Sequence, residues 1–141
     1  MVKVMKTDID IKDEVYMLLK ESALADTITG VVSKTLRPAN SRKEDVVISV
    51  LANSNTRPQS AYVNVNVYVP DLAVKYQVEE QTVTQYEEDS ARLREICNLC
   101  NDLFDTYVGD TYRITLDSQR VLSSADDGAH IVNNKLLYQN Y

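Results

Sequence analysis

One ten-residue stretch, Ala61-Tyr62-Val63-Asn64-Val65-Asn66-Val67-Tyr68-Val69-Pro70, limits what this chain can fold into more than any other. Val63, Val65, Val67 and Val69 share one parity, and Tyr62, Asn64, Asn66 and Tyr68 share the other. A strand turns successive side chains to opposite faces, so the pattern makes one apolar and one polar face. A helix steps 100° per residue and would scatter the four valines. The stretch therefore predicts the central strand of an antiparallel sheet covered on one side only. The remaining elements have to supply the cover and the neighbouring strands.

Taken in order, a charged leader over residues 1–9 precedes a helix capped by Asp10 and running to Ser22, with Ile11, Val15, Leu18, Leu19 and Ser22 on its inner stripe. Gly30 ends that segment. Val31–Leu36 and Val46–Leu51 read as strands, separated by a polar loop from Pro38 to Glu44. Asn53–Ser60 is a second loop and contains Arg57-Pro58. After the central strand, Leu72–Val83 alternates Val74, Tyr76 and Val78 with Lys75, Gln77 and Glu79, which predicts an extended arm, edge strand or loop and not a helix. A long helix follows over Thr84–Asp105, with Tyr86, Leu93, Ile96, Cys97, Cys100, Leu103 and Phe104 on one stripe. Gly109 turns the chain into a strand at Tyr112–Leu116, and Asp117–Gln119 makes a bend. Asp126-Asp127-Gly128 is a turn before the closing strand Ile131–Tyr138. The expectation is an α+β fold in one domain over residues 1–141. It has about five antiparallel strands with two α-helices packed on the valine face, in the order α-β-β-β-α-β-β.

Composition narrows function by class. The formal net charge is −6, and the densest basic cluster, Arg37, Arg42 and Lys43, is diluted by Glu44 and Asp45. A protein that wraps duplex DNA presents a basic surface, and this pattern does not. The beginning of the chain has no signal-peptide core, no run is long enough to span a membrane, and two cysteines make no disulfide framework. A reducing cytoplasm is the expected place of synthesis.

Cys97-Asn98-Leu99-Cys100 has the spacing of a redox or zinc pair, but lies inside a predicted helix on its apolar stripe. A redox pair belongs at a helix N-terminus, and zinc needs two further soft ligands. Core packing is the expectation for both thiols. His130, beside Asp126 and Asp127, reads as a strand-start residue next to an acidic turn, and Ser123-Ser124 has no base at a recognisable offset. No catalytic residue, metal site or cofactor is expected. The nine tyrosines, against one phenylalanine and no tryptophan, suit surfaces that are wet before assembly and buried after it, with ordinary surface tyrosine as the competing reading. Tyr62 and Tyr68 should stand on the open face of the sheet.

This order of elements resembles that of the tail terminator (tail completion, head-to-tail joining) proteins of long-tailed bacteriophages. The resemblance is carried by Val63-Asn64-Val65-Asn66-Val67-Tyr68 as the alternating central strand, by the helix Ala91–Phe104, and by Asp126-Asp127-Gly128-Ala129-His130-Ile131-Val132 leading into Lys135–Gln139. Leu72–Val83 is an insertion against that pattern. The resemblance implies a structural virion protein of the tail and neck, assembled in the host cytoplasm. It implies a homo-hexameric ring that caps the tail tube, meets tail-tube protein on one face and the head connector on the other, and lets DNA pass through its lumen unbound. Tyr62, Tyr68, Val74, Tyr76, Val78 and Arg57 are the expected interface residues. Another neck or head-completion protein, or a non-enzymatic cellular α+β binding domain, is the alternative, and a thiol or metal enzyme ranks third.

Overall fold

The computed structural model describes residues 5–141. Helix α1 (Asp8–Lys20) opens on a capping box. The Thr7 side chain accepts from the Asp10 N–H at 3.1 Å, and the Asp10 carboxylate accepts from the Thr7 N–H at 2.9 Å. Asp10 is thus the third helical residue and not the cap, and the expected leader runs into helix at Asp8. Its residues 1–4 lie outside the described residues. Ile11, Val15 and Leu19 are buried at helical spacing. The chain breaks at Glu21-Ser22 and adds a short helix, α2 (Ala23–Thr27), which buries Leu24.

The main sheet has six strands in the order β1 (Val32–Ser33), β2 (Val46–Ser54), β3 (Gln59–Pro70), β8 (Ala129–Asn140), β7 (Tyr112–Ser124) and β6 (Thr106–Val108). Central β3 alternates buried and half-buried residues along its whole length. Its valines lie against Val46, Ile48, Val132 and Leu136. Helix α3 (Ser90–Phe104) adds Leu93, Ile96, Cys100 and Phe104 to the same core, so α1 and α3 both cover the valine face. Buried polar groups on that face are paired: Asn134 Nδ2 donates to Val65 O at 3.2 Å and its Oδ1 accepts from Gln119 at 2.9 Å.

The expected α+β fold, five antiparallel strands with two helices, is overturned: the chain is mostly β, a six-stranded mixed sheet and a two-stranded one with three α-helices, and it departs from the expectation in four places. First, β1 is only two residues long and runs parallel to β2, Val32 opposite Val46. The loop from Lys34 to Asp45 carries the chain back to start β2 in the same direction, as a parallel pair requires. Gly30 allows this crossing, because its N–H donates to Glu44 O at 2.8 Å and a Cβ there would stand 2.4 Å from that oxygen. Second, Asp117 is a bulge within one long strand β7, not a bend between two elements. Third, β6 and α2 have no strong signal of their own in the sequence. Fourth, the expected arm and the first residues of the expected long helix form a separate two-stranded hairpin, β4 (Leu72–Val78) and β5 (Gln81–Glu87). Helix α3 begins only at Ser90, capped by Asp89, whose side chain accepts from the Arg92 N–H. Tyr86 therefore sits on β5 and not on the helical stripe.

No helix among the described residues is long and apolar enough to cross a membrane.

Candidate functional site

The hairpin β4–β5 leaves the end of β3 and pairs only with itself. Every residue of its two strands is exposed except Val74, which is half-buried. Register places Leu72, Val74, Tyr76, Val78 and Val83 on one face, and Ala73, Lys75, Thr82, Thr84 and Tyr86 on the other. A row of apolar side chains thus stands in water on the first face. Such a face in a two-stranded unit has nothing of its own to bury against. The tip is Glu79-Glu80, with φ of 48° and 65°, between the paired Val78 and Gln81. A two-residue hairpin turn needs left-handed backbone, for which Asn-Gly is suited. Two glutamates there cost about 1 kcal/mol or more each, so charge stands where backbone chemistry prefers glycine.

The roots of the hairpin are held firmly. The Asp71 N–H donates to Gly128 O at 3.0 Å. His130 Nδ1 lies 2.6 Å from Asp71 Oδ1, and its Nε2 lies 4.0 Å from Glu88 Oε2. One imidazole therefore touches the residue before β4 and the residue after β5. Beside these roots a cleft of about 820 Å³ opens between the Arg37–Arg42 loop, Tyr86 and the Ala125–Gly128 turn. Its charges are mixed: Arg37 is occupied by Asp45 at 3.0 Å, while Asp126 and Asp127 face it from the turn.

The second surface is the face of the sheet opposite the helices. Tyr62 and Tyr68 lie on it, as their parity predicts, and both are half-buried by neighbours on that face. Lys135 Nζ sits 4.4 Å from the Tyr62 ring centroid, and the Arg37 guanidinium sits 4.5 Å from that of Tyr68. Arg113 and Arg120 on β7 share this face and are exposed. Neither makes an ion pair among the described residues.

The six expected interface residues do not form one patch. Val74, Tyr76 and Val78 come together on the hairpin, where the Tyr76 hydroxyl donates to Glu87 at 2.6 Å. Tyr62 and Tyr68 stand on the sheet. Arg57 is exposed in the β2–β3 turn, at the far end of a twelve-residue strand from the hairpin, roughly 40 Å away at 3.3 Å per residue. The structure adds Val83, Glu79 and Glu80 on the hairpin and Arg113 and Arg120 on the sheet face to the expected residues. Alternation through Thr82-Val83-Thr84-Gln85-Tyr86 is the signal that marks β5. The arginines carry no such signal, since only the sheet order puts them on one face.

Cys100 is fully buried on α3, and burial pushes its thiol up to about 12; the half-buried Cys97 thiol is also raised by burial. His130 is a root clamp for the hairpin. Among the described residues no three His, Cys, Asp or Glu side chains are grouped to hold a metal.

No family model matches the chain, and no curated protein matches it.

Proposed function

We propose that this chain is a structural ring subunit, a tail terminator of a long-tailed bacteriophage that caps the tail tube and joins it to the head connector. The observation that carries the reading is the self-paired hairpin with Leu72, Tyr76, Val78 and Val83 between 43% and 52% exposed on one face. Apolar area of that kind is stabilised by a partner, and a rigidly rooted hairpin offers it in a fixed direction. Two further features support the reading. The half-buried, tyrosine-bearing face of the sheet is a second contact surface, distinct from the hairpin. Two different patches on one chain make a heterologous, head-to-tail contact, which closes into a ring when the rotation per subunit allows. The overall negative charge also fits a lumen through which DNA slides without being held.

The test is assembly. Purified protein, concentrated and examined by sedimentation and negative-stain microscopy, is expected to form closed rings of about six subunits. Added to polymerising tail-tube protein of a long-tailed phage, the rings are expected to stop tube growth at one end. A protein that never leaves the monomer or dimer, and leaves tube length unchanged, would refute the proposal.

A further inference from the structure

We propose that His130 is a proton-operated clamp at the base of the β4–β5 hairpin: charged, its imidazole holds both roots of the hairpin against β8, and neutral, it holds only one. The clamp works within a single chain, whether or not that chain assembles.

The two roots are tied to the imidazole unequally. Nδ1 lies 2.6 Å from Asp71 Oδ1, and the Asp71 side chain is only 10% exposed. Nε2 lies 4.0 Å from Glu88 Oε2, on a side chain that is 51% exposed. The first is a hydrogen bond that a neutral imidazole can make with its one N–H. The second is too long for a hydrogen bond and is an attraction only while the imidazole carries charge. With Nδ1–H given to Asp71, the neutral form turns the lone pair of Nε2 toward the Glu88 carboxylate, and nothing holds those two together. Histidine is the side chain that gains or loses its charge between about pH 5 and 8, so this second tie comes and goes near neutral pH.

Nothing else at the roots replaces that charge. Asp71 and Glu88 have no other ion-pair partner among the described residues. The charged neighbours on the adjoining segments are acidic: Glu87 and Asp89 beside Glu88, and Asp126 and Asp127 in the turn that enters β8. Arg92, on the first turn of α3, is engaged by Glu44 at 2.5 Å. Val69 and Ser123, which flank His130 in the sheet, carry no charge. Glu88 Oε1 accepts from Ser90 Oγ at 3.1 Å, so its carboxylate stays with α3 when the imidazole lets go.

Losing one tie frees one side of the hairpin. The hairpin pairs only with itself, so its roots set its direction. Asp71 stays fixed through its N–H bond to Gly128 O and its carboxylate bond to Nδ1. Motion therefore pivots on the β4 root and begins at the β5 root. Tyr86, two residues before Glu88, lines the cleft together with the Ala125–Gly128 turn, so the same motion shifts one wall of that cleft.

His130 is the only histidine in the chain, so its NMR signal reports its charge without ambiguity. The labelled full chain, kept below the concentration at which sedimentation detects association, is followed from about pH 5.5 to about pH 8, the range in which histidine titrates. Amide exchange in Leu72–Glu87, corrected for the intrinsic effect of pH on exchange, is expected to lose about two- to fivefold in protection as the imidazole loses its proton, the range of a partly exposed ion pair. Exchange in β3 is expected to stay constant. In E88Q the imidazole still titrates, but hairpin protection is expected to be low and flat across the whole range, with a wild-type circular dichroism spectrum showing that the variant is folded. Wild-type protection that ignores the His130 titration would overturn the clamp. So would an E88Q chain that keeps the full pH response, which would assign the response to Asp71 or to Asp126 and Asp127. Neither outcome bears on ring assembly, and a chain that forms no rings leaves the clamp in place.

Discussion

The imidazole of His130 meets the carboxylate of Asp71, Nδ1 to Oδ1 at 2.6 Å, where β3 hands over to β4. Because β8 is a central strand, this contact ties the direction of the hairpin to the rigid part of the molecule. Replacing His130 with Ala removes the ring from between Asp71 and Glu88. A loss of about 1.5–3 kcal/mol in urea unfolding is expected, the scale of a hydrogen bond to a charged group. Amide exchange in Leu72–Glu87 should quicken more than exchange in β3. Unchanged exchange in the hairpin would mean that the Asp71 N–H bond to Gly128 holds the roots alone.

The two faces of β3 make a sharper case. Val65 is fully buried between β2 and β8, under the helices, whereas Asn64 is half-buried opposite Lys135 on the other face. Val65→Asp puts an unpaired carboxylate in the core, which costs several kcal/mol, roughly, and should leave the chain unfolded at 25 °C. Asn64→Asp places the same group beside an ammonium and should change stability by less than about 1 kcal/mol. Circular dichroism melts of the two variants compare them directly.

What was readable from the residues, and what was not, follows from the range of each signal. The face assignment of β3, the inner stripe of α1 and the turn at Gly128 depend on spacing within a few residues, and the structure bears them out. The expected start of α3 lies too early because Glu87-Glu88-Asp89 resembles the acidic first turn of a helix, and only Asp89 belongs to one, as its cap. The preceding Thr-Val-Thr alternates and is β-branched, and pairing with β4 decides in its favour. The parallel placement of β1 depends on where a twelve-residue loop returns, which no local pattern encodes. Arg113 and Arg120 on the sheet face are likewise a product of strand order.

Asp45 gives a pH test. Burial opposes its ionisation, but hydrogen bonds from Ser41, the Val31 N–H and Arg37 outweigh that and hold its carboxyl below the usual range. The folded value is below the unfolded value of about 3.9, so the protein binds fewer protons folded than unfolded in that range. The stabilisation is therefore complete above about pH 5 and is lost as pH falls through the folded value. Asp45→Asn should be less stable than wild type at pH 7, with the gap closing below about pH 4. A gap independent of pH would assign the loss to packing.

The thiols answer to burial. With the Cys100 thiol near 12, its thiolate fraction at pH 8 is on the order of one in ten thousand, and the side chain is shielded as well. Iodoacetamide at pH 8 should modify native Cys97 slowly and Cys100 only after denaturation. Rapid labelling of Cys100 in folded protein would show that α3 opens readily from the sheet.

The hairpin is the element whose removal separates folding from assembly. Its strands pair with each other and its exposed residues add almost nothing to the core, which is built from α1, α2, α3 and the main sheet. Leu72 and Glu87 are paired across its base, so a short glycine-serine turn can join Asp71 to Glu88 without moving either. The roots keep their contacts with Gly128 and His130. The shortened chain should therefore melt within a few degrees of wild type, the shift expected for about 1 kcal/mol or less in a chain of this size. It should lose the ability to form rings, because one of the two contact patches is gone. Rings of normal size from the shortened chain would show that the hairpin is dispensable for assembly, and the subunit contact would then have to lie on the sheet face that bears Tyr62 and Tyr68.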